Sequence, residues 1–294
     1  MSMIRIPEIK ALYQLFKPGL ALSIVLTVLP ALFSSTVMPD IGTILGAIIG
    51  TLLSAMAAFG YNQIVEQHRD AKMERTRHRI LVTGQANPYT VYIVSSSLLG
   101  GGLLILGMYA GPLAMVFSLL SFLIYVFVYT IWLKPRSTTN TLIGGISGAV
   151  GPLIGESAAK GYVTEYGWLL FLFLFLWQPP HFWALACYRK DDYARGGFAM
   201  LPVVRGVRYT SIQMVLYQLM FTALMIASFY PLGYTDLPFA LTAVPFSVFV
   251  LVYMIRFVRS QDMKHARTAF FLTIFHNLIW HAALTFEQLY RHLS

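Results

Sequence analysis

Charge is scarce in this chain. Asp, Glu, Lys and Arg together make up 11% of its 294 residues, and Cys187 is the single cysteine. One thiol excludes an internal disulfide and any Cys-x-x-Cys metal or redox motif, and inside an apolar helix it reads as packing. So little charge also leaves no room for a soluble domain. Hydrophobic residues account for 57% and mean hydropathy is +0.66. Apolar runs long enough to cross a bilayer recur from end to end, the mark of a polytopic membrane protein. About nine spans are expected, near 19–37, 42–63, 88–108, 112–133, 140–158, 167–188, 210–230, 236–256 and 268–290. Backbone groups in lipid must be satisfied internally, so spans of this length are helices rather than barrel strands. The basic, amphipathic residues 1–18 are expected to lie on the membrane surface before the first span.

The net charge of +9 reports topology. With the N-terminus cytoplasmic, all of the 21 Lys and Arg except Lys160 and Arg291 fall on that side, which orients the chain by the positive-inside rule and places the C-terminus opposite. Nucleic-acid binding is a poor reading of a charge distributed this way.

What charge there is gathers in two stretches. The first, Tyr61 to Arg79, reads YNQIVEQHRDAKMERTRHR. Asn62, Glu66 and Asp70 are four and four apart; a four-residue helical step advances about 400°, so the three side chains share one face. Two carboxylates and an amide, with Lys72, Arg75, Arg77 and Arg79 beyond them, can hold a hard divalent cation and the phosphate oxygens it bridges. The same residues also fit a solvated helix end, and the cation run a topology signal. The second stretch, near 189–209, carries Arg189, Asp191, Asp192 and Tyr193, then a turn at Gly196, Gly197 and Pro202. It follows the sixth span as the first stretch follows the second. That spacing implies two four-helix halves plus a ninth helix, with both loops over one central cavity. Between them Gly144, Gly145, Gly148, Gly151 and Gly155 make a smooth helix face, which lets helices approach closely and also leaves room for a flat substrate.

With these blocks in order, the sequence resembles the UbiA superfamily of intramembrane prenyltransferases, and within it the branch that farnesylates protoheme IX. The resemblance rests on Asn62-x-x-x-Glu66-x-x-x-Asp70 with Met73-Glu74-Arg75-Thr76 and Arg79, and on Tyr129-Thr130-x-x-Leu133-Lys134 with Thr139-Asn140. It continues through Gly144-Gly145 with Gly148-Ala149-x-x-Pro152, PHFWALA from Pro180, Asp192-Tyr193 and MLPVV from Met200. Two positions depart from the superfamily: Glu66 stands where Asp is usual, and Tyr188 fills a place many members give to Asp.

The resemblance implies one all-α prenyltransferase domain over 1–294, about nine transmembrane helices around a central cavity, in the cytoplasmic (inner) membrane with the loops cytoplasmic. It implies that farnesyl diphosphate, held by Mg²⁺ and basic residues, gives its farnesyl group to a vinyl group of heme b, making heme O. In that scheme Glu66, Asp70 and Asp192 hold metal and Asn62 orients the cluster. Lys72, Arg75, Arg79, Lys134 and Arg189 meet the diphosphate, and His181, Tyr129, Asn140 and Tyr193 are the candidate heme or substrate contacts. His181 also fits a satisfied buried histidine, Tyr129 and Tyr193 fit interface anchors, and His276 and His281, five apart, read as packing. The lipid bilayer is a partner, with heme A synthase or terminal-oxidase assembly as further ones. Rival readings are the same chemistry on an aromatic quinone precursor, a transporter, and a heme-binding assembly factor without catalysis.

Overall fold

The structure, a computed structural model, describes residues 9–293, with side chains from Tyr13 onward. Among the described residues there is no strand. Among those residues nine helical segments are long and apolar enough to cross a membrane: α1 (Tyr13–Leu32), α2 (Ile41–Asp70), α3 (Pro88–Ala110), α4 (Pro112–Leu133), α5 (Asn140–Lys160), α6 (Glu165–Tyr188), α7 (Val207–Phe229), α8 (Leu237–Ser260) and α9 (Met263–Leu293). All nine expected spans are present, and the chain is an integral membrane protein. Their starts carry local signals. The Asp40 carboxylate accepts from Thr43 N–H at 3.0 Å and Asn87 from Tyr89 N–H at 2.8 Å, while Pro88 and Pro112 occupy first turns that need no N–H donor.

Two boundaries differ from expectation. The second span does not end near 63 but runs on as helix to Asp70. Its polar last turns are satisfied by neighbours rather than by water: Gln63 donates to the Leu15 carbonyl at 2.5 Å and Gln67 to the Leu81 carbonyl at 2.7 Å. The expected surface segment 1–18 lies outside the described residues up to position 8. From Ile9 it is helical to Phe16, and Lys17, at φ 47°, breaks the helix before Pro18 restarts it.

The glycine face divides its labour. A Cβ at Gly155 would stand 2.2 Å from the Val28 carbonyl, and one at Gly151 1.9 Å from Thr27 Oγ1, so this half seats α5 on α1. Gly144, Gly145 and Gly148 line the central cavity, together with Gly151.

α4 ends in ten residues, Ile124–Leu133, wound with i→i+5 hydrogen bonds. Such stretches mark functional sites more often than ordinary helix does. Here the winding sends Tyr125 and Tyr129 into the cavity while Thr130 meets Asn62 on α2.

Candidate active site

α2 brings Asn62, Glu66 and Asp70 to one face at its loop end, and all three are buried, Asp70 to 1% exposure. Isolated carboxylates there would be costly, and each has a cation. Glu66 accepts from Lys134, at the end of α4, at 2.5 Å; Asp70 Oδ2 pairs with Arg79. Asn62 donates to Thr130 Oγ1 at 3.2 Å. Burial pulls the Lys134 ammonium down, but the Glu66 carboxylate together with the Tyr193 and Tyr125 hydroxyls prevails and holds it above the usual lysine range. Its Nζ also lies over the Phe198 and Tyr129 rings, 4.6 and 5.4 Å from their centroids.

The two loops are stapled together above this cluster. Asp192 Oδ1 accepts from the Glu74 backbone N–H at 2.8 Å and from Arg195 at 2.6 Å, and Oδ2 accepts from Arg75 N–H at 3.4 Å. Burial pushes the Asp192 carboxyl up; the Glu74 N–H, the Arg195 guanidinium and the Arg75 N–H prevail and hold it below the usual carboxylate range. A carboxyl held low supports the staple at every pH above its ordinary value and loses it only as pH falls through the lowered one. From the other side, Arg69 donates to the Gly196 and Gly197 carbonyls at 3.1 and 2.6 Å. Gly197 sits at φ 68°, and a Cβ there would lie 3.0 Å from the Arg69 guanidinium, so glycine serves both needs.

Beneath the cluster is a cavity of about 570 Å³. Phe59, Tyr125, Tyr129, Trp177, His181, Tyr193 and Phe270 form much of its aromatic wall. The charged groups crown it: Lys134 covers Tyr129, and Glu66 lies two turns along α2 from Phe59.

The sequence-derived residues therefore separate. Asn62, Glu66, Asp70, Arg79 and Lys134 converge, and Tyr129, Tyr193 and His181 line the cavity. Lys72, Arg75 and Arg189 are exposed side chains; the Arg75 guanidinium lies within Coulombic reach of Lys17, and its backbone N–H enters the cluster through Asp192. Asn140 is buried but spent on the Ser137 and Ala199 carbonyls, at 2.6 and 2.9 Å, tying the start of α5 to the second loop. Asp191 is exposed.

Lys17 is the residue that sequence reasoning missed. It reads as a lysine snorkelling at the start of the first span, yet its ammonium is carried inward to 5.5 Å from the Phe59 ring centroid, within Coulombic reach of Glu66, Arg75, Arg79 and Lys134. The left-handed backbone at Lys17 is a strained conformation for a residue with a side chain, and such strain collects at functional sites. The only sequence signal is the Lys17-Pro18 pair, and a membrane-boundary lysine has an ordinary use.

Among the described residues no three His, Cys, Asp or Glu side chains form a metal-binding group. The cluster nevertheless fits a hard cation. Asp70 Oδ1 is buried with no partner, and Glu66 and Asn62 share its face. Mg²⁺ takes only one or two carboxylates and completes its shell with water and phosphate oxygens.

The pattern of the UbiA prenyltransferase family matches residues 21–279. The protoheme IX farnesyltransferase of Leptospira biflexa is 36% identical over 276 residues, 94% of this chain and 97% of that protein. That of Polynucleobacter asymbioticus is 35% identical over 283 residues, 96% and 95% of the two chains. Among solved structures, a digeranylgeranylglyceryl phosphate synthase superposes with a TM-score of 0.78 at 16% identity, over 96% of this chain and 98% of the other. A UbiA homolog from Archaeoglobus fulgidus, bound to GPP and Mg²⁺, gives 0.68 at 13% identity over 94% and 99%; at these identities the likeness shows the fold. With the family pattern covering most of its length and relatives above 30% identity along nearly all of it, the chain belongs to the UbiA prenyltransferase family.

Proposed function

We propose that this protein transfers the farnesyl group of farnesyl diphosphate to a vinyl group of heme b, producing heme O, at the cytoplasmic side of the inner membrane. The observation that carries the reading is the crown of buried ion pairs set over a large aromatic cavity, a polar place for a diphosphate above an apolar place for a prenyl chain. The two relatives named protoheme IX farnesyltransferase support the acceptor. The concentration of basic residues on one face supports the orientation.

In this reading the allylic carbon–oxygen bond breaks and diphosphate leaves with the bonding pair. Lys134, Arg79 and Lys17 offset the growing negative charge from fixed positions. The terminal vinyl carbon bonds to the farnesyl carbon, and the cation left on the neighbouring carbon takes hydroxide from water, releasing a proton. The cavity rings shield the carbocation from stray water and stabilise it through their faces. Glu66 and Asp70 would hold Mg²⁺, with Asn62 orienting the group; when bound, the metal neutralises diphosphate charge as a Lewis acid. Asp192, a metal ligand in the family scheme, has both oxygens committed here, and we assign it to positioning: it fixes the turn that follows Asp70. Heme O made in this membrane is then available to a heme A synthase or a terminal oxidase.

The test is conversion of heme b by the purified protein with farnesyl diphosphate, with and without Mg²⁺, read by mass spectrometry. A Mg²⁺-dependent gain of one farnesyl group and one hydroxyl is expected. Prenylation of a hydroxybenzoate with heme left untouched would overturn the acceptor and favour the quinone-precursor reading. A transporter is disfavoured because the ion pairs of the cluster gather at one end of the bundle rather than at its middle.

Two variants probe the crown. Lys17→Ala is expected to raise KM for farnesyl diphosphate roughly 10-fold, the worth of one charge-assisted contact; an unchanged KM removes Lys17 from the site. Asp192→Asn keeps an oxygen for the Glu74 N–H and Asp192→Ala does not. The asparagine variant is therefore expected to retain more activity than the alanine one, with the Mg²⁺ requirement of wild type in both. A Mg²⁺ requirement raised in proportion to the lost activity would return Asp192 to the metal.

A further inference from the structure

His181 stands apart from the other membrane histidines. It lines the cavity, and its ring is clamped between Trp177 and Phe270, with centroids 4.6 Å away on both sides and interplanar angles of 17° and 23°. Trp177 is itself fixed, donating from Nε1 to the Thr273 carbonyl at 2.9 Å. The hydrogen bonds then settle the tautomer. Thr273 Oγ1 has one hydrogen and donates it to the Phe270 carbonyl at 2.7 Å, so toward His181 Nδ1, 2.9 Å away, it acts as acceptor. His181 therefore carries its proton on Nδ1, and the lone pair is on Nε2. Among the described residues Nε2 has no hydrogen-bond partner, it is not among the fully enclosed orphan atoms, and its residue lines the cavity. His276, by contrast, has both nitrogens sealed in the core without a partner, and does not line the cavity.

A neutral imidazole that donates one N–H to a fixed acceptor and presents the other nitrogen to an apolar, aromatic space has the arrangement of a metal-ligating histidine with its orienting partner. We propose that His181 Nε2 is an axial ligand of the iron of the heme substrate, held in register by Thr273. The proposal rests on heme b being the acceptor. Ligation sets the depth of the macrocycle at roughly 10 Å along α6 below Tyr188, from seven residues of helical rise. The plane of the porphyrin then stands across the direction in which Nε2 points, and the periphery that carries the vinyl groups is the part free to reach the crown. In this role His181 positions the acceptor and takes no part in breaking the diphosphate bond.

The experiment titrates ferric and ferrous heme b, without farnesyl diphosphate, into wild type, His181→Ala and Thr273→Val, read by absorption and by resonance Raman in the iron–histidine stretching region. Wild type is expected to show a histidine-bound iron. His181→Ala loses that signature and regains it on addition of free imidazole. Thr273→Val keeps the protein's only cavity-lining imidazole among the described residues but frees its Nδ1, so the stretch shifts and heme affinity falls about 10-fold. A wild-type spectrum in His181→Ala overturns the proposal. Should that variant not fold, an unshifted stretch in Thr273→Val overturns it instead. The conversion assay on wild type runs in parallel and separates the two failures. Farnesylated heme from an enzyme whose iron signature ignores both substitutions ends the ligand assignment and leaves the function standing. Prenylation of another acceptor with no heme bound ends both.

Discussion

Asp70→Asn is expected to lower prenyl transfer on the order of 10²-fold or more, with the helical bundle intact. The substitution keeps size and one oxygen but removes the charge that Arg79 pairs with, and it alters Oδ1, which is buried and has no partner. Two causes for the loss can be told apart. If Asp70 served only to neutralise Arg79, then Asp70→Asn with Arg79→Gln, which removes both charges of the pair, would be no less active than Arg79→Gln alone, since it is a lone buried charge that is costly. If Asp70 holds Mg²⁺, the double variant falls well below Arg79→Gln alone, and raising Mg²⁺ does not restore it. The double variant is expected to remain inactive. Turnover near wild type in Asp70→Asn alone would discredit the metal role.

The parts of this site that the sequence discloses are those governed by short periods. The nine spans follow from apolar runs, and the shared face of Asn62, Glu66 and Asp70 follows from the four-residue step. The pairing of Glu66 with Lys134 does not, because those residues are 68 apart and meet only after α4 has packed on α2. The apolar run stops near 63, so the span ends there by hydropathy, while the four-residue step carries the helix on to Asp70; what neither shows is that the Leu15 and Leu81 carbonyls accept from Gln63 and Gln67 in those last turns. Cations are the least legible. Lys72, Arg75 and Arg189 have the charge a diphosphate needs and are exposed, whereas Lys17 is drawn inward after a single left-handed backbone angle that no composition reveals. Asn140 was chosen for its place in a motif, but its amide holds two loop carbonyls together, a use open to any buried asparagine.

Gly155→Ala is expected to be the most damaging small change outside the charged cluster. The added Cβ would fall 2.2 Å from the Val28 carbonyl and 2.9 Å from the Leu32 nitrogen. Both are backbone atoms of α1, so no rotamer relieves the clash and the two helices must part. Overpacking of this kind costs about 1–3 kcal/mol and occasionally more. Gly151→Ala provides a graded comparison: its nearest contact is the Thr27 hydroxyl at 1.9 Å, which can turn away, although Thr27 Cβ at 3.0 Å and the Thr27 backbone at 3.4 Å cannot. Gly100→Ala, with nothing within 4 Å, is expected to be neutral or slightly stabilising, because alanine is the better helix former by about 1 kcal/mol. Thermal unfolding of the three variants in one detergent should rank them with Gly155→Ala lowest and Gly100→Ala highest. Equal stability for those two would mean that α1 and α5 are not held at the spacing described. The ranking also reaches the chemistry, because α1 carries Lys17 at its other end. Any folded Gly155→Ala protein has α1 displaced from α5, and with it the ammonium above Phe59. Its residual activity should therefore show the same raised KM for farnesyl diphosphate as Lys17→Ala, and combining the two substitutions should raise KM little further.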